Sequence, residues 1–364
     1  MDQITDLAVG RHAVPVPEAL DDATQSFDVL EVVTVELATD ADRGGLGFTY
    51  TIGEGASAIA AFVDDVLTPL IVGSELCPRS LYGSMRAGTT FVGREGISEL
   101  AISAVDIASW DALARAHDLP LYAFLGASAA PVPAYDTSRG WLQYDEETLV
   151  ANAGAVAEQG FAGMKMKVGR SVAADARRVR AVREALPSDR DLMLDANCGF
   201  TRQTTRRLSR ALDDVDVAWL EEPLEKGDHA GYADVRALVD VPIAAGENCY
   251  TPEQFAQLID AGGVDVLQPD VCRVGGVTGW LRVAELAAAT NLPVAPHYIE
   301  PVHAHLVQAA PTTLYLERHS SVLEELFVWD GHLADGAFTP GSASGHGMEL
   351  REENRYRVDG RTRS

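Results

Sequence analysis

The sequence predicts an α/β protein: a (β/α)8-type barrel preceded by a smaller part of mixed α and β structure. Three observations carry this. From about residue 132, short apolar runs alternate with helical stretches until eight strand candidates have passed, the rhythm of a parallel barrel. Titratable residues close several of those runs, the end at which barrel enzymes hold their sites. Residues 1–125 lack that rhythm and read as a mixture of strand and helix. The 364 residues suffice for a barrel of ordinary size and one further domain.

Taken in order, residues 29–37 (VLEVVTVEL) are rich in β-branched side chains and alternate in places, as a strand does. Residues 40–47 read as a turn. Residues 97–116 read as a helix with Leu100, Ala104, Ile107, Ala108 and Leu113 along one side, stopped by Asp118 and Pro120. The barrel runs are 132–135, 164–168, 192–194, 217–220, 241–245, 264–267, 292–295 and 313–316. Among the helices between them, 252–261 shows its start most clearly. Thr251 is placed to cap it, Pro252 suits its first turn and Gln254 completes a capping box. Phe255, Leu258 and Ile259 supply its buried side. A doubly wound open sheet is the competing architecture, but it calls for a G-x-G-x-x-G turn after its first strand. The chain offers only the pair Gly275-Gly276.

Composition narrows the function. Hydrophobic residues make up 47% and charged residues 23%, as in soluble globular proteins. No apolar stretch reaches the roughly 20 residues that span a bilayer. The first ten residues carry two Asp and no basic residue, unlike a signal peptide, so a cytoplasmic location is expected. A net charge of −25 argues against nucleic acid as a partner. It suits a halophilic setting, where salt screens an acidic surface. Lys165, Lys167 and Lys226 are the only lysines, a scarcity that a GC-rich genome would also produce. Cys77, Cys198, Cys249 and Cys272 form no C-x-x-C pair and are expected to be small buried thiols.

The chemistry lies at the run ends. Asp195 closes LMLDAN, Glu221 closes VAWLEEP and Glu247 closes IAAGEN. Twenty-six residues separate each acid from the next, about one βα unit. One acid after a strand is ordinarily a helix cap or a solvated loop residue; three in register point three carboxylates into one mouth. Hard anionic oxygens of that number suit Mg²⁺. Lys165 and Lys167 stand two apart in GMKMKVG and so face the same side of one strand. A desolvated lysine beside another cation has a lowered pKa and serves as a base. Asp270 closes VLQPD, His297 closes PVAPH and Glu317 closes LYLE. A lone histidine is more often a satisfied core residue, but an Asp–His pair fixes the tautomer and raises basicity. Together these groups suit removal of the weakly acidic proton alpha to a carboxylate. That reaction needs a base and strong stabilisation of the resulting enediolate.

Over essentially its whole length the chain resembles the enolase superfamily, mandelate racemase subgroup. The resemblance rests on AVDIASWDAL, GMKMKVG, LDANCG, WLEEPL, GENCYTPEQF, PDVCRVGGVTGW, APHYIEPVHAHL and LYLE. It implies a (β/α)7β TIM-type barrel at 126–325, an N-terminal α+β capping domain at 1–125 and a C-terminal segment at 326–364 that packs back on the cap. It implies Mg²⁺ held by Asp195, Glu221 and Glu247, with Lys167 as one base and His297, paired with Asp270, as the other. Lys165 and Glu317 would hold the substrate carboxylate, with Asn197 and Glu222 beside the metal ligands. Substrate choice would sit in a mobile loop at 15–27, whose Glu18, Asp21, Asp22, Thr24 and Gln25 suit a polyhydroxy acid. The expected reaction is dehydration of a small sugar acid to a 2-keto-3-deoxy acid. A 2-hydroxy-acid racemase or epimerase is the alternative, and a non-catalytic binding barrel is more distant. A homo-oligomer is expected.

Overall fold

The computed structural model describes residues 2–41, 43–319, 322–352 and 356–360. The chain opens with three long antiparallel strands, β1 (Ile4–Asp21), β2 (Ser26–Thr39) and β3 (Gly44–Ile52). Helices α1 (Ala56–Phe62), α2 (Thr68–Ile71), α3 (Pro78–Gly88) and α4 (Ile97–Ala116) follow, α1 and α2 joined by a π-helical turn at Val63–Leu67. Short helix α5 (Leu121–Phe124) leads into the barrel.

The expected turn at 40–47 is only half right, because Gly44 already belongs to β3. The glycines there serve close packing instead. A Cβ on Gly45 would fall 2.1 Å from Ala108 O, and one on Gly47 would fall 1.9 Å from Ala104 O. The strand therefore lies directly on α4. That helix is also buried on more than the one expected side: Ser98 to Ala112 are all buried, while Leu113 is only partly so. The sheet covers one face; α1, α3 and the barrel cover others.

The barrel strands are β4 (Val132–Asp136), β5 (Gly163–Lys167), β6 (Asp191–Asp195), β7 (Trp219–Glu221), β8 (Ile243–Ala245), β9 (Val266–Leu267) and β10 (Leu316–Arg318). Neighbours pair in parallel from β4 to β9. The seventh run, 292–295, is not a full strand. Val294 alone bridges Leu267 on one side and Thr313 on the other, and β10 pairs with β4 to close the cylinder. Helices α6 (Glu146–Glu158), α7 (Val172–Ala185), α8 (Arg202–Ala211), α9 (His229–Arg236), α10 (Pro252–Asp260), α11 (Gly276–Thr290) and α12 (Glu300–Leu306) lie between. Thr251 and Gln254 form the capping box at the start of α10.

Strand alternation builds the interior in layers. Tyr135, Met193, Trp219, Ala244, Val266 and Ala295 form a buried cluster, with Tyr315 packed against it. Two residues further along the same strands stand Thr137, Asp195, Glu221, Gln268, His297 and Glu317. The side of each strand that fills the apolar floor therefore carries the polar groups one step higher. After β10 come α13 (Val322–Leu326), β11 (Phe327–Trp329), β12 (His332–Ala334), β13 (Ala337–Thr339), β14 (Met348–Leu350) and β15 (Arg357–Gly360). This segment joins both parts, since β13 pairs with β4 and β15 pairs with β1. No helix among the described residues is long and apolar enough to cross a membrane.

Cap and barrel meet through buried polar bonds. Asp106 of α4 accepts from Thr278 N at 2.8 Å and Thr278 Oγ1 at 2.6 Å. Trp110 Nε1 donates to Thr278 Oγ1 at 2.9 Å. Within the cap Asp111 accepts from Leu46 N, and it also takes His346 N of the C-terminal segment, each at 2.9 Å.

Helix α12 buries His305 against Tyr122, with ring centroids 5.6 Å apart. Burial and then the neighbouring His346 hold its pKa down at about 4, against 6.5 for a free imidazole. The unfolded chain therefore takes up this proton first as pH falls, and stability is lost through the window from about 6.5 to about 4. His305→Phe cannot titrate. Urea unfolding at pH 7.5 and pH 5 should show the wild type losing about 2 kcal/mol relative to the variant. Equal pH dependence in the two proteins would refute the buried neutral imidazole.

Candidate active site

The strand ends place every titratable residue singled out in the sequence around one mouth. One carboxylate oxygen from each of Asp195, Glu221 and Glu247 lies within 4.8 Å of the others. Asp195 and Glu221 face each other in register across β6 and β7. Glu247 reaches the same place from beyond its strand because Gly246 has φ 137°, a conformation open to glycine. A Cβ there would also fall 2.5 Å from Phe255 Cε1.

The turns after the ligands are strained. Asn197 (φ 40°), Cys198 (59°), Glu222 (36°), Tyr298 (52°) and Ile299 (45°) are all left-handed. Such conformations cost on the order of 1–3 kcal/mol each and persist where the surroundings over-determine them. Here they swing the chain away at once after a functional side chain, keeping the mouth open.

Both predicted lysines are buried among these acids. Lys165 Nζ lies 2.6 Å from Glu221 Oε1, 2.8 Å from Glu317 Oε1 and 3.7 Å from Asp195 Oδ2. It sits above the floor, 5.6 Å from the Tyr135 ring centre. Lys167 Nζ donates to Asp195 Oδ2 at 2.5 Å and lies 5.1 Å from the Trp141 ring centre. This corrects the expected lowering of the lysine pKa. Burial is the largest single influence and acts downward, but the surrounding groups together outweigh it, Asp195, Glu247 and Glu221 at Lys167 and Glu221, Glu317, Tyr135 and Asp195 at Lys165, so both are raised.

On the other flank, His297 Nδ1 is 3.3 Å from Asp270 Oδ2, and its Nε2 is 3.4 Å from Glu247 Oε2. Burial pushes Asp270 upward, but His297, Arg273 and His303 together more than offset it and hold this carboxyl below the usual range. Glu317 is doubly anchored, accepting from Thr137 Oγ1 at 2.6 Å and Tyr298 N at 2.9 Å. Asn197 touches a ligand through its backbone, donating N–H to Asp195 Oδ1 at 2.8 Å. Glu222 turns instead to Asn248 Nδ2, 2.6 Å away, and Cys198 Sγ at 3.2 Å. Cys272 is buried as expected, whereas Cys77, Cys198 and Cys249 are only partly so.

The donor set fits a divalent cation. Glu247 Oε2 is buried without a hydrogen-bond partner. Burial and the like charges of Glu222 and Asp195 push this carboxyl up to about 8. A cation between three hard oxygens relieves both conditions.

Several functional positions escaped sequence reasoning. Tyr50, from β3 of the cap, donates its hydroxyl to Asp270 Oδ2 at 2.6 Å. Gln268 Nε2 and Trp219 Nε1 donate to Glu221 Oε2 at 2.6 and 3.1 Å. His319 lines the cavity with its ring 5.6 Å from that of His297; Gln268 and His319 stand two residues from Asp270 and Glu317, so strand alternation was a usable signal for both. Nothing local marks Tyr50.

The expected mobile loop at 15–27 is the end of the β1–β2 hairpin, paired as far as Asp21 with Ser26. It is tied to the barrel by Leu142 N to Asp21 O at 2.9 Å and by Gln143, which bonds Asp21 N and Ala19 O at 3.0 Å each. Its polarity is also divided. Asp22, Thr24 and Gln25 reach the cavity, but so do Val16, Leu20 and Phe27, while Glu18 bonds Tyr144. The cavity measures about 300 Å³ and includes Lys167, Asn197, Glu247 and His297 in its wall.

A capped barrel with three convergent carboxylates, flanked by a lysine and an Asp–His pair, defines a metal-assisted enzyme that handles protons. Residues 5–126 match the mandelate racemase / muconate lactonizing enzyme N-terminal domain, and residues 148–354 match the enolase C-terminal domain-like family. The chain belongs to the enolase superfamily, mandelate racemase subgroup. It is 35% identical over 346 residues to L-talarate/galactarate dehydratase of Salmonella typhimurium, covering 94% of this chain and 87% of that one. That enzyme's structure with Mg and L-lyxarohydroxamate superposes with a TM-score of 0.93 at 32% identity, covering 99% and 94%. A 3,6-anhydro-alpha-L-galactonate cycloisomerase of Streptomyces coelicolor is 33% identical over 354 residues, or 95% and 97% of the two chains. A racemase of Streptomyces coelicolor A3(2) with bound magnesium gives a TM-score of 0.93 at 32% identity, covering 98% and 100%.

Magnesium should raise the thermal midpoint of the wild type, since a ligand at a hundred times its Kd adds about 2.7 kcal/mol. Glu247→Gln should lose most of that response. In chelator the same variant should melt no lower than wild type, because one buried repulsive charge is gone. An undiminished magnesium shift in Glu247→Gln would remove Glu247 from the metal site.

Proposed function

We propose that this protein is a magnesium-dependent dehydratase that converts a sugar acid to a 2-keto-3-deoxy acid. The observation that carries the reading is the placement of Lys167 and His297 on either flank of the Asp195–Glu221–Glu247 triad, both in the wall of one small cavity. Magnesium held by the triad supplies positive charge that acidifies the proton alpha to the carboxylate and stabilises the enediolate.

The remaining work belongs to side chains. Lys165 Nζ and Glu317 position the substrate carboxylate, and Asn197, whose buried Oδ1 has no partner, takes a substrate hydroxyl. Lys167 Nζ removes the alpha proton. Its link to Asp195 must loosen for the amine to become neutral, so this base depends on the charge of the triad. Asp270 accepts from His297 Nδ1–H, leaving Nε2 toward the cavity as the proton donor. As the C3–O bond breaks, His297 protonates the departing oxygen and water leaves. The enol then tautomerises to the keto acid, C3 gaining a proton as the C2 hydroxyl loses one; the proton taken up at Lys167 balances the one given by His297, so the net change is loss of one water. Tyr50 shares Asp270 Oδ2 and steadies the pair from the cap.

The relatives support this reading, since dehydratases of sugar acids stand among them. A racemase stands among the similar structures, and in that reaction the same two groups would exchange a proton with carbon. We further propose that the protein acts in the cytoplasm as a homo-oligomer.

With Mg²⁺ and a panel of aldonates and aldarates, trapping of 2-keto product from at least one acid is expected. Lys167→Ala should lower kcat by about 10²–10⁴-fold, the usual weight of a general base. His297→Asn should cost a similar factor in keto formation. Run in deuterated water, alpha deuteration with inversion and no keto acid from any substrate would replace the dehydratase by the racemase.

A further inference from the structure

The third lysine of the chain is unexplained by the chemistry above, yet it lines the same cavity. Lys226 follows β7 in the loop that carries Glu222, and Arg273 follows β9 in the loop that carries Asp270. Both lie against one ring, Lys226 Nζ 5.7 Å and Arg273 Cζ 5.5 Å from the centre of Tyr250. Tyr250 thus neighbours both cations, and both stand in the wall of the cavity.

Neither has an ion pair with a carboxylate within 4.0 Å among the described residues. In a chain with 54 acidic and 29 basic residues, cations are the scarce partner, and most other basic groups facing the barrel interior are claimed. Lys165 and Lys167 are held by Glu221, Glu317 and Asp195. Arg273 instead donates Nη1 to the neutral Asn248 Oδ1 at 2.7 Å, which leaves guanidinium donors for the cavity. Asp270 and Glu247 attract Arg273 through space without pairing with it, and the other acids in the cavity wall pair with neither cation. Asp22 is occupied by Thr24 N at 2.6 Å, Thr24 Oγ1 at 2.8 Å, Gln25 N at 2.9 Å and Gln25 Nε2 at 3.2 Å. Glu225 is exposed and makes no bond to Lys226 within that limit.

We propose that Lys226 and Arg273 form a second carboxylate subsite, so that the acids this protein binds are dicarboxylic: aldarates rather than aldonates. This rests on the functional reading above, in which Lys165 and Glu317 take the first carboxylate. The first carboxylate then lies on the side of Lys165 and Glu317, and the second meets Lys226 and Arg273, which stand in the wall of a cavity of about 300 Å³. An aldonate presents a hydroxymethyl group where the second carboxylate would stand. It leaves the cations with water only.

Binding isolates this claim from turnover. Lys167→Ala protein with saturating Mg²⁺ is titrated calorimetrically with galactarate and glucarate, and with galactonate and gluconate. At least one aldarate should bind about tenfold more tightly than its aldonate, as one partly screened charge-assisted contact gives. Adding Lys226→Met should bring the two within about twofold, and Lys226→Arg should retain the preference. Lys226 is exposed, so its removal leaves the core intact; Arg273→Met provides the second arm. Equal affinity for both acid types, a preference untouched by either substitution, or no binding of any acid overturns the subsite. A preference for aldarates in protein that forms no keto acid with Lys167 restored would leave the subsite standing and sink the dehydratase reading instead.

Discussion

The site is organised by a balance of buried charge. Asp195, Glu221, Glu317 and Asp270 are wholly buried, and Lys165 with Lys167 is set among the first three. Removing one partner from such an arrangement costs about 3–5 kcal/mol, because the other is left uncompensated out of water. Lys165 satisfies two acids directly, and Lys167 satisfies a third. Glu247 is the remainder, with a buried oxygen that accepts no hydrogen bond and has His297 Nε2 3.4 Å away. The barrel therefore closes around a deficit of positive charge, and a divalent cation is the group that fills it.

That balance is possible because of how strands present side chains. Each inward row passes from floor to mouth in steps of two, so Met193 leads to Asp195, Trp219 to Glu221 and Tyr315 to Glu317. The aromatic floor of Tyr135, Trp219 and Tyr315 excludes water beneath the charges. Tight left-handed turns then lift the chain clear of the mouth. Glu247 is the exception that shows the rule. Its row is shifted by one residue, and a glycine with φ 137° restores its aim.

The cap is part of the chemistry as well as its roof. Glycines at 45 and 47 bring β3 onto α4, and α4 is bonded to α11 through Asp106 and Thr278. The far end of β3 then places Tyr50 on Asp270. A displacement of β3 would move Tyr50 and so reach the Asp–His pair through the bond to Asp270. The hairpin end at 15–27 closes the cavity with mixed apolar and polar side chains, so its acidic composition alone was a poor guide to what the substrate meets.

The sequence by itself determined the barrel, its strand order and its ring of titratable groups. These depend on local period and on position at a strand's end, which adjacent residues dictate. Lys165 with Lys167, the three evenly spaced acids and the capping box at Thr251 were legible for that reason. The misreadings were those where the deciding partner is distant in sequence. Gly44 to Gly47 read as a turn because nothing nearby reveals a helix lying 60 residues onward. Residues 292–295 read as a strand, although their neighbours leave room for a single bridge. Tyr50 on Asp270, Gln268 on Glu221 and the pairing of Lys226 with Arg273 over Tyr250 were decided only by the tertiary structure. The upward shift of both lysine pKa values belongs with them, since it depends on which carboxylates the closed barrel brings within 3 Å of each ammonium. Closure sets those distances, and Coulombic energy depends on distance through space rather than along the chain.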